Sequence, residues 1–166
     1  MIPSHETPIR GPSGHPRSRY LVDCGDAQLH VHARSTATVL RLEGQIDVSN
    51  AESVGRALRR FCLPNASLVL DLSHLEFLGI AGFRTLLGLN DQNRQAGLRC
   101  SIVGGTALRL LTHVFTDHGL PVVDSIPEAL RLVDDDIRAG VVHQHERGHE
   151  NACAAMDMAP ESRAFG

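Results

Sequence analysis

Apolar and polar residues change their spacing most clearly between Ser67 and Leu89. The stretch begins with a nearly continuous apolar run, Leu68–Leu72, which is typical of a buried β-strand. After a polar turn and a glycine-rich break at Gly79–Gly82, apolar residues recur at the spacing of a helix with one buried face. The pattern therefore predicts a buried strand that leads through a tight turn into a helix. The first N–H groups of that helix would have no partner within it.

The segments around this stretch predict an α/β fold. Alternating apolar residues indicate two strands, 27–33 and 37–43, whose short link favours an antiparallel hairpin. Three further strands, 68–72, 98–103 and 120–123, are predicted between helices. The helices are predicted to begin near Ser49, Phe83, Thr106 and Ser125. Strands joined through helices run parallel, so we predict an α/β fold with a mixed β-sheet that has an antiparallel N-terminal edge hairpin, is otherwise largely parallel, and is covered by about four α-helices.

Composition divides the chain into three segments. Residues 1–26 begin with a polar stretch rich in proline and glycine, and we predict a disordered N-terminal arm. Residues 27–137 carry the alternating strands and helices and are predicted to form one domain. Residues 138–166 are His-rich, polar and small, which favours a mostly disordered tail.

Charge and apolar content exclude several classes of function. The 166-residue chain has a formal net charge of −3, so neither nucleic acid nor an anionic membrane is an expected partner. No apolar run approaches the roughly 20 residues of a membrane span, and the N-terminus lacks the apolar core of a secretion signal. We therefore expect a cytoplasmic protein that needs no cofactor.

The cysteines do not have the spacing of a zinc or thioredoxin-like site. They are Cys24, Cys62, Cys100 and Cys153. In a reducing compartment all four are expected to be free thiols. Cys62 and Cys100 fall at a predicted helix end and within a predicted strand. A redox-controlled bridge between them is an alternative that sequence spacing does not decide.

The strand–turn–helix stretch, LDLSHLEFLGIAGFRTLL, resembles the signature of the STAS domain family, the fold of bacterial anti-sigma-factor antagonists. Asp71 matches the Asp of the family's strand, Phe77-Leu78 its Phe-Leu, and Gly82 the Gly that closes its turn. Residues 44–47, GQID, resemble the family's G-E-x-D before the first helix. The position of the family's phosphorylated serine is occupied by Ala81. The resemblance thus implies the same scaffold without its phosphorylation site.

The resemblance also implies a non-enzymatic protein that binds its partner through the turn. In the family, an unphosphorylated serine at the helix start permits binding to an anti-sigma factor with a kinase-like fold, which frees a sigma factor. Ala81 cannot carry the phosphate that abolishes docking, so the chain would be a constitutive antagonist. The implied contact residues are Asp47, Ser49, Asn50, Asp71, Gly79, Ile80, Ala81, Gly82 and Phe83.

Two other functions stay open at this stage. Lipid-transport members of the family dock on a transporter ATPase or permease, and this chain could be such a subunit. The second alternative rests on His145–His149, which fits the H-E-x-x-H pattern of zinc hydrolases. Because a glycine lies within the motif and a complete domain precedes it, we expect no hydrolase. His143, His145 and His149 are then candidates for adventitious metal binding only.

Overall fold

The computed structural model describes residues 19–64 and 66–155, with the backbone alone described at 19 and from 141 onward. Within these residues the chain forms seven strands and four helices. The strands are β1 (Arg19–Asp23), β2 (Ala27–Ala33), β3 (Ala37–Ile46), β4 (Ser67–Asp71), β5 (Leu75–Leu78), β6 (Cys100–Val103) and β7 (Val122–Val123). The helices are α1 (Ala51–Arg59), α2 (Ile80–Gln95), α3 (Thr106–Val114) and α4 (Ile126–Ala155).

The described strands all belong to one mixed sheet. Its order is β1-β2-β3-β4-β6-β7, and β5 pairs with the end of β3. The β1–β2 and β2–β3 pairs are antiparallel, whereas β3–β4, β3–β5, β4–β6 and β6–β7 are parallel. This arrangement confirms the predicted α/β class, with its antiparallel N-terminal hairpin and largely parallel remainder.

Two apolar clusters hold the sheet and helices together. The larger one contains buried side chains of α1, α2 and α3 together with those of the strands. The smaller cluster contains Ala129 and Val133 of α4 against Val39, Val69 and Val103 of the sheet. With no Trp in the chain, aliphatic side chains supply most of this buried surface.

Two strands differ from the sequence prediction. β1 lies inside the segment predicted to be a disordered arm, so that prediction was wrong for residues 19–23, and residues 1–18 lie outside the described part. β1 forms because its backbone pairs along its own whole length with residues 28–32 of β2, as in Tyr20 opposite Val31. β5 was not predicted either, because its two buried residues, Leu75 and Leu78, are three positions apart and do not alternate.

Helix α4 is longer than predicted. Its first turn follows the expected cap, since the Oγ of Ser125 accepts a hydrogen bond from the N–H of Glu128. It continues to Ala155, so the prediction of a disordered tail was wrong for residues 138–155, while residues 156–166 are not described. No proline follows Pro127 within the helix to stop it. The chain divides after Val133 into two compact units.

Candidate partner-binding surface

The end of β3 positions the glycine-rich turn. β5 pairs with residues 44–46 of β3, and the N–H of Gly79 then donates to the Ile46 carbonyl at 2.8 Å. Gly79 has an extended backbone and stands at the N-cap of α2. No side chain caps this helix, and its first turn contains no acidic residue. The start of α2 is therefore held beside the loop that follows β3. No side chain in the first turn of α2 offsets the positive charge that the helix dipole places there.

Gly82 allows α2 to approach the sheet closely. A Cβ at this position would lie 2.6 Å from Cγ2 of Ile46 and 2.7 Å from Cδ1 of Leu78. Gly82 is itself buried, and Phe83 is almost completely buried in the larger cluster. Both residues therefore position the turn from beneath, and their direct contact with a partner stays a prediction.

Three large apolar side chains around the turn face solvent. Ile80 is 54% exposed at the first position of α2, Phe77 is 50% exposed on β5, and Val48 is 85% exposed in the loop after β3. We call these three residues the turn surface. Ala81 lies beside them, half-buried and packed against the larger cluster. Exposed apolar residues grouped in this way are a common feature of sites that bind other proteins.

Hydrogen bonds hold the neighbouring loop, residues 47–50, in one shape. An Asp47 carboxylate oxygen accepts bonds from the N–H and the hydroxyl of Ser49, at 2.8 and 2.5 Å. These bonds, the side-chain one first, lower the pKa of Asp47 below its ordinary value. Asn50 is buried and ties the loop to β3 by donating to the Gln45 carbonyl at 2.8 Å. Of the loop residues predicted to contact a partner, Ser49 is exposed, Asp47 is half-buried and Asn50 supports them from within.

Asp71 does not lie on the surface. It is 0% exposed at the end of β4, and its Oδ1 accepts bonds from the N–H and hydroxyl of Ser73 at 3.0 and 2.6 Å. Its Oδ2 faces Nε of Arg41 at 3.5 Å. Asp71 therefore shapes the connection between β4 and β5, and any part it has in partner binding would act through this connection. A carboxylate inside an otherwise apolar strand was the sequence signal for this buried role.

The structure also shows a groove that sequence reasoning missed. It has a volume of about 420 Å³ and lies between α2 and the segment that follows α3. Its lining residues are Ile80, Phe83, Arg84, Leu87, Val114, Phe115, Thr116, Asp117 and His118. Ile80 belongs both to this lining and to the turn surface, so the groove and the turn form one continuous surface.

Aromatic stacking and one buried amide give the groove its shape. The rings of Phe83 and Phe115 stack with centroids 5.5 Å apart, and the His118 ring meets Phe83 edge-on at 6.5 Å. The buried Asn90 of α2 donates to the Gly119 carbonyl at 3.2 Å, which ties the loop after α3 to this helix. Phe83 and Phe115 are far apart in sequence, so no local pattern could have revealed the groove.

The cysteines whose side chains are described, Cys24, Cys62 and Cys100, are free thiols, as expected. Burial, and secondarily the nearby Cys62, raise the pKa of Cys100 to about 12. Burial also raises the pKa of Cys62. Neither thiol therefore has the lowered pKa of a reactive cysteine.

The described part of the chain shows neither a metal cluster nor a membrane span. Among the side chains of residues 20–64 and 66–140, no three His, Cys, Asp or Glu groups converge on a common point. His143, His145 and His149 lie in the part of α4 whose backbone alone is described. None of the described helices is long and apolar enough to cross a bilayer.

Comparison with known proteins assigns this chain to a protein family. A sequence profile of the STAS domain matches residues 28–109, which include the turn and the loop after β3. Osmosensory protein A of Mycobacterium tuberculosis is 33% identical over 121 residues, which cover 70% of this chain and 77% of that protein. The chain belongs to the STAS domain family.

Solved structures agree with this STAS assignment. The crystal structure of an anti-sigma factor antagonist from Mycobacterium paratuberculosis has a TM-score of 0.57 and 25% identity to this chain, covering 65% of it and 94% of that protein. The anti-sigma factor antagonist SpoIIAA in its unphosphorylated form has a TM-score of 0.54 and 17% identity, with 64% of this chain and 96% of that one covered. The predicted STAS fold is therefore confirmed.

Proposed function

We propose that this STAS protein is an anti-sigma-factor antagonist-like regulator. It binds a kinase-like anti-sigma factor in the cytoplasm and so frees a sigma factor, without an enzymatic reaction of its own. The observation that carries this proposal is the exposed turn surface at the start of α2, formed by Val48, Phe77 and Ile80. An apolar patch held on a rigid strand–turn–helix unit fits protein docking better than catalysis. The likeness to an anti-sigma factor antagonist supports the kind of partner.

The site lacks a hydroxyl where the family carries its phosphoserine. Ala81, the second residue of α2, cannot be phosphorylated. Thr85, one turn further on, is half-buried and its hydroxyl donates to the Ala81 carbonyl at 3.1 Å, a local bond within the helix. A phosphate at position 81 would add close to two negative charges at the docking surface. Without an acceptor at Ala81, the proposed antagonist stays competent to bind whatever the kinase activity of its partner.

Calorimetric titration tests this proposal. The full chain is titrated with each purified kinase-like anti-sigma factor encoded in its own genome, with and without ATP. We expect one of them to bind with an affinity that ATP does not reduce. Ala81→Ser should bind equally well without ATP and lose affinity after incubation with ATP, because the new hydroxyl accepts phosphate.

Two further variants make the experiment specific. Ile80→Asp places a charge on the turn surface and should abolish binding. Leu63→Asp places the same charge on an apolar residue that is 55% exposed beyond α1, away from the turn, and should leave binding unchanged. Absence of binding to every anti-sigma factor tested would refute the proposal, as would equal binding by Ile80→Asp and the unaltered chain.

A further inference from the structure

The groove between α2 and the 114–118 segment has the dimensions of a binding pocket. Its volume of about 420 Å³ falls within the roughly 300–1,000 Å³ of pockets that bury small ligands. The stacked rings of Phe83 and Phe115 form part of its lining, and the bond from Asn90 to Gly119 keeps the loop against α2. The groove is therefore preformed, so an incoming group would not have to order it.

One lining residue of this groove, Val114, and its helical neighbour Leu110 are exposed apolar side chains. Val114 and Leu110, one turn apart on α3, are 71% and 68% exposed. With Ile80 on the opposite wall, Val114 continues the exposed apolar surface from α2 across the groove to α3. Large exposed apolar side chains concentrated at one pocket are costly for a free protein and mark a place that a partner covers.

Charge indicates which kind of group enters. Arg84 lies one turn after Ile80 on the α2 wall, and the start of α2 has neither a cap nor an acidic residue. An acidic group is favoured at this end, both by the guanidinium and by the helix dipole. The acidic lining residue, Asp117, belongs to the opposite wall, on the loop after α3.

We infer that the groove receives an apolar anchor side chain of the docking partner, flanked by a carboxylate that pairs with Arg84. This inference rests on the proposed function and adds the chemistry of the contact. The occupant belongs to the same anti-sigma factor that covers the turn surface, because Ile80 is shared by both. Interfaces commonly concentrate their binding energy in a buried apolar anchor within a pocket that excludes water.

The test uses the titration described above, with variants that separate the groove from the turn. Val114→Asp should raise Kd at least about 30-fold, the scale of a lost anchor contact, whereas Leu63→Asp should not change it. Arg84→Gln should raise Kd about 10-fold at low salt and by less at high salt. Asp117→Asn removes the opposite charge from the other wall and should not weaken binding.

The outcomes distinguish this inference from the function on which it rests. If Ile80→Asp abolishes binding while both Val114→Asp and Leu110→Asp bind as the unaltered chain does, the groove is not part of the interface and only this inference fails. If the unaltered chain binds no anti-sigma factor, both fail. The second position, Leu110, guards against misfolding at Val114, which circular dichroism melts would reveal. If the free chain is dimeric and Val114→Asp makes it monomeric, the groove is occupied by a second copy and the inference is overturned.

Discussion

Replacing Gly82 with alanine tests whether the position of the turn depends on close packing between α2 and the sheet. The added methyl group would lie 2.6 Å from Cγ2 of Ile46 and 2.7 Å from Cδ1 of Leu78. Carbon atoms normally approach only to about 3.5–4.0 Å. Both neighbours are almost fully buried, so neither side chain can turn aside into solvent.

Gly88 in the same helix is the matched control, because nothing lies within 4 Å of a Cβ added there. We expect Gly88→Ala to raise the free energy of unfolding by about 0.5–1 kcal/mol, since alanine favours the helix and restricts the unfolded chain. Gly82→Ala gains the same contribution but overpacks the core, which costs about 1–3 kcal/mol. The difference in stability between the two variants should therefore be about 1–3 kcal/mol, with Gly82→Ala the less stable.

Urea unfolding followed by far-ultraviolet circular dichroism measures this difference. The two variants should share the slope of the parent protein and differ in midpoint, because the surface exposed on unfolding is the same. If Gly82→Ala proved as stable as Gly88→Ala, the side chains of Ile46 and Leu78 would have to move away from the added methyl group without lowering the free energy of unfolding. The argument that close packing at Gly82 holds the turn in place would then be refuted.

Other measurements test the buried and hydrogen-bonded groups. Asp71→Ala should lower the free energy of unfolding by about 2–4 kcal/mol, because it removes a buried, hydrogen-bonded carboxylate. The control Asp91→Ala removes an exposed carboxylate and should change the free energy of unfolding little in the same urea assay. Equal effects of the two substitutions would contradict the role assigned to Asp71. With a pKa of about 12, Cys100 should be only about 10⁻⁴ ionised at pH 8 and should resist iodoacetamide until the chain unfolds, as mass spectrometry would show. The same shift predicts that the contribution of Cys100 to stability is fully present below pH 9. That contribution should decline as pH rises towards 12, because the thiol ionises at lower pH in the unfolded chain than in the folded one. Finally, NMR titration should place the midpoint of Asp47 below 3.8, so that its contribution to stability is present above that pH and is lost on acidification. Ser49→Ala should move this midpoint upward, and an unchanged midpoint would rule out the hydroxyl as the main cause.

The alternating and helical patterns were sufficient to predict the β2–β3 hairpin, the β4–turn–α2 unit and the mixed sheet. These elements are readable because their buried residues recur at a period of two or of about 3.6. β5 has only two buried residues, Leu75 and Leu78, which do not alternate, and it depends on pairing with the distant end of β3, which leaves no local pattern. β1 was missed because it directly follows a polar stretch rich in proline and glycine, whose composition was taken as a sign of disorder. The length of α4 was missed for a similar reason, since polar composition was taken as a sign of disorder where no proline interrupts the helix.

At the candidate site, the sequence by itself determined the chemistry: a glycine-rich turn, an apolar Ile80 and no hydroxyl at Ala81. Only the tertiary structure decided which of these residues are accessible. It buries Asp71 and Phe83 and exposes Ile80, because exposure depends on which elements pack above a residue and not on the residue type alone. It also brings Phe115 from beyond α3 onto Phe83 of α2, and the groove exists only through that contact. A surface built from residues so far apart in the chain is a property of the packed fold, which a one-dimensional pattern cannot encode.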